Sequence, residues 1–579
     1  MHELELNIVA YSDLNVRKNG LYQMILHKSY TPLAICYSFD QGEIRVLDMT
    51  QNRQLPKELV MAVLDLNTIK YAYYAEWVWL QLCKIMQIPL PYKNWRSISQ
   101  ALVSVAVHSA IRQKKFICEK ELEYKNDEYE RFFCYPQKGA GAWTRATPEM
   151  FPEKWKVYKE KMKDDIYLLR VIREKFLKYV RQKEWDKQQY MVEIHTKRLD
   201  VQMERLVKES REESADYMRA LQTVSHAIGL CNRRYYEEFK ALISHGLDKE
   251  GEERVLRKIG NALEGDLGLI RYYRKIIAAS QKEFNLLLRQ CQYTGYLQGC
   301  CVSEKIIGYV LEEIILPETG KEHYLFFYHN LEIMVAAWLS GEDWILKDGN
   351  DPANLFADAA ERMWGDREKA DISEEAYQAC LFGGGKNELE YMRKQKRSDT
   401  EMGMNRIVMD WRSANRNIVR FWGVLYRACC YTMTFKTTIE TGKVKFDYDG
   451  ENLEIYLPSG RRMVFMECGL KKNAQGCNQI FYLGTNEKEW FGKKALNGGK
   501  LFRIIVHAIC QDIMSFFLEN LMREKKSVIL ATDKYFVIDE KDEETAVERL
   551  QGCFREMPDW CADLAVRGSL QCLKVRTHE

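Results

Sequence analysis

Residues 498–522 read GGKLFRIIVHAICQDIMSFFLENLM, and a strand–turn–strand follows almost at once. Apolar side chains cover most of the circumference of that stretch, which predicts a buried helix rather than a surface one. The next segment is SVILATDKYFVIDE, Ser527 to Glu540. Val528, Ile529 and Leu530 lead into a short turn, and Tyr535 to Ile538 lead out with aromatic and β-branched residues. A buried helix feeding a hairpin commits this end of the chain to an α/β arrangement. Asp533 falls at the turn. Aspartate there makes the turn by bonding its own backbone, or it holds a metal, and a metal needs a second carboxylate.

Nothing in the bulk properties opposes a folded multidomain protein. A chain of 579 residues with 46% hydrophobic and 12% aromatic residues has ample core for two to four domains. Its 17 cysteines follow no disulfide or CxxC spacing, and the adjacent pairs Cys300–Cys301 and Cys429–Cys430 read as buried thiols, so a reducing cytoplasm is expected. The start, MHELELNIVAYSD, is charged and poor in apolar residues, and no apolar stretch reaches about 18 residues, so neither a signal segment nor a membrane span is expected. A net charge of +3 gives no general case for nucleic acid. Local basic runs do occur: RQKK at 112–115, RYYRK at 271–275, RKQKR at 393–397 and REKK at 523–526. Most such runs are solvated faces. Arg271, Arg274, Lys275, Arg393, Lys394, Lys396 and Arg397 are the candidates for touching phosphates.

Along the chain, residues 1–90 alternate strand and turn signals in ELNIVAYS, PLAICYSFD and EIRVLDM, then turn helical within TIKYAYYAEWVWLQLCKIM. From Met150 the pattern becomes long helix, beginning PEKWKVYKEKMKDDIYLLRVIREKFLKYV, and helical character continues to about Arg289 with breaks near Gly246 and Gly251. A second α/β section starts near Tyr324, where HYLFFYHNLEIMVAAWLSGE reads as a strand running into a helix. Residues 351–430 read as helical, and 431–483 as strands, including KVKFDYDG and NLEIYLPSGRRMVFM. No internal repeat or low-complexity linker interrupts this order.

AAWLSGEDWIL after a strand, then WRSANRNIVRFW, LPSGRRM, GGKLFRIIVHAICQDI and the Asp-tipped hairpin form an ordered series that resembles the polymerase half of phage-type family A DNA polymerases. The N-terminal YSDLNVRKNGLYQM resembles the start of their 3′–5′ exonuclease domain. The resemblance implies a multidomain α/β fold: an RNase H-like exonuclease domain over 1–180, a helical thumb over 181–320, and a palm over 321–579 with fingers inserted at about 350–430.

It also implies two metal sites, and neither has its ligands. Such an exonuclease uses about four carboxylates to hold two divalent ions about 4 Å apart. The strand that should carry two of them offers Asn7 and Val9. In the second motif, Tyr74 and Val78 stand where an Asn and an acid belong, and Glu76 faces elsewhere on the helix. The third motif has Lys161 in place of a Tyr and keeps Asp165. A valine cannot ligate a hard cation, so exonuclease activity is expected to be absent and Asp165 is expected to be a surface acid. In the polymerase half, Phe327 aligns with the first metal-bridging aspartate, and Glu332 aligns with the sugar-sensing glutamate. Asp533 matches the hairpin aspartate, but its neighbours are Thr532 and Lys534. The fingers positions that should grip a triphosphate hold Ala370 and Glu374, while the base-stacking aromatic is kept as Phe382. GYVLEEIILPE puts Glu312, Glu313 and Glu318 where polar or basic template contacts belong, and Ile314 and Ile315 where amides belong. His507 stands where the family favours Gln, and a lone histidine there is expected to pack or hydrogen-bond.

The expectation is therefore a pseudoenzyme: a family A polymerase fold without metals or cofactors, with Asp533, Glu332 and Asp165 as relics. It would act as an accessory or scaffold in phage or prophage replication in a bacterial cytoplasm. Its expected partners are DNA or RNA and a protein such as an active polymerase or replication factor, with no membrane. One alternative is an active, Mg²⁺-dependent DNA polymerase in which Glu332 or Asp539 completes a metal site with Asp533. The other is a nucleic-acid-binding regulator of phage replication.

Overall fold

A computed structural model describes residues 2–14, 24–25, 27–88, 90–105, 127–138, 143–190, 296–297, 320–348, 354–396, 403–472, 476, 478–485, 491–532, 535–541, 545–564 and 566–573. Of the section read as a thumb, only 181–190, 296–297 and 320 fall within these residues.

The N-terminal strands are β1 (Glu3–Tyr11), β2 (Thr31–Phe39), β3 (Arg45–Asp48), β4 (Ile69–Ala72) and β5 (Trp95–Ser97). They form one sheet in the order β3-β2-β1-β4-β5. β2 runs antiparallel to β1 and β3, whereas β4 lies parallel to β1 and to β5. Among the described residues five helices accompany the sheet: α1 (Lys57–Leu64), α2 (Ala75–Met86), α3 (Ile98–Val105), α4 (Asp127–Cys134) and α5 (Pro152–Phe176). Strand alternation sorts β1 into two cores. Leu4, Leu6 and Ile8 join a cluster with Val78, Trp79 and Leu82 of α2. Val9 and Tyr11 join another with Trp155, Tyr158, Met162 and Ile166 of α5.

α5 is helical for visible reasons. Proline opens it at a position that needs no N–H, Glu153 sits in its first turn and Arg173 and Lys175 in its last. Its buried residues recur every three or four positions. Two arginines then fasten it to the sheet. Arg170 Nε and Arg173 Nη1 bind the fully buried Glu5 at 2.8 and 2.6 Å, and Arg173 Nη2 binds Glu3 at 2.6 Å.

The C-terminal section is built on a second sheet. Its strands are β6 (Tyr296–Leu297), β7 (Lys321–Tyr328), β15 (Ser527–Thr532), β16 (Tyr535–Lys541) and β17 (Gly568–Leu573), in the order β17-β7-β16-β15-β6. Between β7 and β15 the chain makes α6 (Leu331–Ser340), α7 (Leu355–Trp364), α8 (Ala370–Cys380), α9 (Lys386–Lys396), α10 (Met404–Ala414) and α11 (Arg416–Phe435). An antiparallel sheet of β8 (Ile439–Thr441), β9 (Val444–Tyr448), β10 (Leu453–Tyr456) and β11 (Arg462–Phe465) follows. A three-stranded sheet of β12 (Gly469–Lys472), β13 (Asn478–Thr485) and β14 (Phe491–Leu496) comes next. The helix expected from the opening stretch is α12 (Gly498–Arg523), capped by the Asn497 side chain on Lys500 N, and α13 (Ala546–Cys553) lies beyond the hairpin. α12 is the one helix among the described residues long and apolar enough to cross a membrane, and its apolar residues lie mostly in the protein core.

Two close approaches fix α12. A Cβ on Gly499 would lie 2.4 Å from Phe382 O, and one on Gly498 would lie 2.4 Å from Trp422 O. Glycine is required at both places because backbone occupies the space a side chain would need.

The two α/β sections are joined by polar contacts. Tyr179 Oη donates to Glu454 at 2.8 Å, and Arg181 Nη1 donates to Ser459 O at 3.2 Å. The helical segment 182–190 leans on α12, where Lys183 and Lys187 reach Glu519 at 3.1 and 3.2 Å.

Candidate nucleotide and metal sites

At the N-terminal sheet, the structure brings Asn7 and Asp165 together. Asn7 faces α5 from β1, and its Nδ2 donates to Asp165 Oδ2 at 2.9 Å. Val9 shares that face. Asp165 is half-buried rather than a surface acid, which corrects the expectation for it: α5 turns its Met162–Ile166 face into the sheet, and Asp165 is carried against β1. Lys161 Nζ lies 4.7 Å above the Tyr129 ring. Val78 does not join them, because it packs with Leu4, Leu6 and Ile8. Glu76 is buried and accepts a bond from Ser97 Oγ at 3.0 Å, and burial raises its carboxyl above the usual range. A divalent pair would need converging anionic oxygens. An amide donor, an aliphatic side chain and one carboxylate do not fit it.

At the second sheet, β7 and β16 pair so that Phe327 lies opposite Tyr535, immediately after the hairpin turn. Phe327 is buried, and its ring meets His329 edge-on at 4.8 Å. His329 Nε2 in turn lies 2.6 Å from Ser569 Oγ on β17. Asp533 and Lys534 lie outside the described residues. The strand side of this site supplies a phenyl ring, and that does not fit a metal.

Asp539, weighed above as a displaced ligand, is excluded by register. It lies opposite His323, four residues along β16 from the Tyr535–Phe327 pair. That is about 13 Å at ~3.3 Å per residue. Both Asp539 and His323 are buried, and Oδ1 lies 2.5 Å from the imidazole Nδ1.

A third constellation gathers residues from three helices. Glu332 lies in the first turn of α6, and its Oε2 is 3.6 Å from His507 Nε2 on α12. The His507 ring meets Phe382 edge-on at 5.5 Å, just past the end of α8. Arg503, one turn earlier on α12, places its guanidinium carbon 5.9 Å from the Phe382 ring. Sequence reasoning passed over Arg503, although its spacing of four from His507 puts both on one helix face. Ala370 opens α8, and Glu374, one turn on, accepts from Gln378 Nε2 at 2.7 Å. The arrangement is an aromatic wall with a histidine, a carboxylate and one arginine around it. α8 brings no cation to the position of Ala370 or Glu374.

The motif residues that persist are structural. Arg461, from LPSGRRM, donates from Nε to Asp512 of α12 at 2.5 Å and from Nη2 to Ala508 O at 2.7 Å. Both partners are buried. Asn417, from WRSANRNIVRFW, presents its backbone N–H to Glu342 at 2.8 Å and its side-chain amide to Gly341 O at 2.8 Å. Among the basic candidates, Arg271, Arg274, Lys275 and Arg397 lie outside the described residues, as do Glu312, Glu313 and Glu318. Arg393, Lys394 and Lys396 fall on the last turns of α9.

The chain is 23% identical to a DNA polymerase of Bacillus phage SP02 in an alignment of 643 positions that covers 97% of this chain and 98% of the relative. Among solved structures it is similar to the POL domain of Pol1 from M. smegmatis in complex with DNA primer-template and dNTP. That likeness has a TM-score of 0.51 at 12% identity and covers 98% of this chain and 94% of the other. No family model matches the chain. The likeness to the solved structure shows a mixed α/β fold resembling that polymerase domain, and the chain is similar to the phage DNA polymerase along nearly its whole length.

Proposed function

We propose that this chain is a non-catalytic relative of family A DNA polymerases that works by binding, as an accessory or scaffold protein in phage or prophage DNA replication. The observation that carries this reading is Phe327. It lies directly across from the residue that follows the hairpin turn, where the resemblance calls for a carboxylate shared by two metal ions. Two dications about 4 Å apart repel by roughly 16 kcal/mol at an effective dielectric near 20, four times the unit-charge value. Bridging anions must offset that repulsion, and a phenyl ring offers none.

The rest of the molecule is consistent with the reading. By the resemblance, Glu374 aligns with a position that would meet a triphosphate with a cation, and Asp165, aligned with an exonuclease metal ligand, accepts a bond from Asn7. The contacts that preserve shape persist at the same time, among them Arg461–Asp512 and the glycine crossing of α12. The residues fit a role in which the fold is the product: an exonuclease-like module over 1–180, a helical section over 181–320, and a palm with fingers over 321–579. DNA or RNA, and a second replication protein such as an active polymerase, are the partners this role requires.

Primer extension and 3′–5′ degradation assays with Mg²⁺ and Mn²⁺ test the proposal. The purified chain should show neither activity above an Asp533→Ala control. Templated extension that disappears in Asp533→Ala would overturn it. A second reading, an active polymerase with a rearranged site, is favoured by the end-to-end likeness to a protein named as a DNA polymerase. Glu332 is the acid available to it, and that reading predicts extension lost in both Asp533→Ala and Glu332→Ala.

A further inference from the structure

We propose that the solvent face of α11 is a binding site for single-stranded nucleic acid, separate from the cleft. The inference goes beyond the reading above and holds whether or not the cleft is catalytic.

α11 turns Ile418, Phe421, Leu425, Cys429 and Met433 into the core. Its opposite stripe, spaced by four, three, four and four, is Arg416, Arg420, Gly423, Arg427 and Tyr431. The three arginines are exposed, and the helix carries no Asp or Glu along its whole length. Most charged helix faces alternate in sign; this one does not. Among the described residues none of the three arginines makes an ion pair, and Arg416 Nε donates only to Ser413 O, at 3.1 Å. A Cβ at Gly423 would come within 3.0 Å of the Arg427 guanidinium, so the glycine leaves a notch over which that side chain lies.

At the end of the stripe stand two large aromatic rings that the fold does not bury. Tyr431 is 53% exposed and Phe435 is 60% exposed. Their ring centroids are 4.3 Å apart, tilted by 42°. Exposed aromatic rings beside uncompensated arginines are the two halves of a single-strand site: guanidinium groups pair with phosphates, and rings stack on unpaired bases. At ~1.5 Å per residue the charges fall about 6 and 10 Å apart along the axis, with Tyr431 about 6 Å and Phe435 about 12 Å further on. Duplex bases are already stacked on each other, so the rings favour a single strand. An acidic polypeptide would use the arginines but not the rings.

The test is fluorescence anisotropy of the full chain with labelled oligothymidylate and with a duplex of equal length, across about 50–200 mM salt. One variant is Arg416→Gln/Arg420→Gln/Arg427→Gln, which keeps helix propensity. The other is Tyr431→Ser/Phe435→Ser. Circular dichroism and thermal unfolding establish that both fold. The arginine variant should lose at least tenfold in single-strand affinity at the middle of that range, and its log–log salt slope should fall by about 2, at ~0.7 per phosphate contact. The aromatic variant should lose single-strand affinity with its slope and duplex binding unchanged. Unchanged affinity and slope in the arginine variant would overturn the site. So would tight binding of polyglutamate by a chain that ignores the oligonucleotide.

Discussion

The side-chain amide of Asn7 donates to the carboxylate of Asp165 at 2.9 Å, bridging the first strand and the long helix α5 across 158 positions of sequence. Both stand where the resemblance puts metal ligands, and they are joined to each other instead. Asn7→Asp would set two carboxylates at hydrogen-bond distance, where both cannot ionise freely. The variant should be about 1–3 kcal/mol less stable at neutral pH, with the loss shrinking as pH falls and one proton is shared. Denaturant unfolding at neutral and mildly acidic pH measures this. A variant as stable as the parent at neutral pH would show that the site is more solvated than the geometry indicates.

Gly498 and Gly499 let the start of α12 touch the backbone of Trp422 and Phe382. Gly499→Ala and Gly498→Ala should each cost about 1–3 kcal/mol or more, the usual penalty of forcing atoms into filled space. Gly552→Ala is the contrast. Nothing lies within 4 Å of a Cβ there and the position is helical, so the change should stabilise by about 0.4–1 kcal/mol. Urea unfolding of the three variants decides it, and equal effects would contradict the close-crossing account.

Much of this architecture was legible in the sequence. The strand-to-helix run into α6, the long helix from Pro152, the buried α12 and its hairpin all follow from apolar period and turn residues. The pairing of Phe327 with Tyr535 was not legible, because register is set by contacts between distant segments. Asp165 was misjudged as a surface acid for the same reason: its helical face is polar by sequence and covered only once the sheet packs on it. Asp539 looked like a spare ligand because sequence distance to Asp533 is short. Along a strand, six residues carry a side chain ~20 Å away. The α11 stripe was passed over in the sequence because its arginines are spread at helical spacing rather than in a run, and the exposure of Tyr431 and Phe435 depends on packing.

Glu184 gives the stability of the fold a pH dependence. Burial pushes its carboxyl up, but Lys187 and Arg181 outweigh that and hold it at about 2, below its ordinary 4.5. A depressed carboxylate contributes stability above its unfolded value and loses it as pH falls through the folded one. The contribution, about 3 kcal/mol by linkage, should therefore be full above about pH 4.5 and gone near pH 2. Subtracting the stability curve of Glu184→Gln from that of the parent isolates it, because other carboxylates titrate in both. Parallel curves across that window would contradict the assignment.

Arg461 and Asp512 are a buried pair with a further bond to Ala508 O. Removing one partner leaves a buried charge alone, so Asp512→Ala should cost about 3–5 kcal/mol. Arg461→Lys should also be costly, because lysine lacks the planar fork whose separate nitrogens reach Asp512 and Ala508 O. Arg461→Met/Asp512→Leu should recover most of the loss, as apolar replacements of buried ion pairs commonly do. A double variant no better than Asp512→Ala would mean that the pair fixes the LPSGRRM turn beyond its charge balance.

A non-catalytic role requires that the hairpin site hold no pair of ions. Manganese electron paramagnetic resonance on the full chain, with primer–template and a non-hydrolysable nucleotide, asks that directly. The prediction is no exchange-coupled ion pair in the parent, and no change in the spectrum on Asp533→Ala. A coupled pair of Mn²⁺ ions that vanishes with Asp533→Ala would contradict the account.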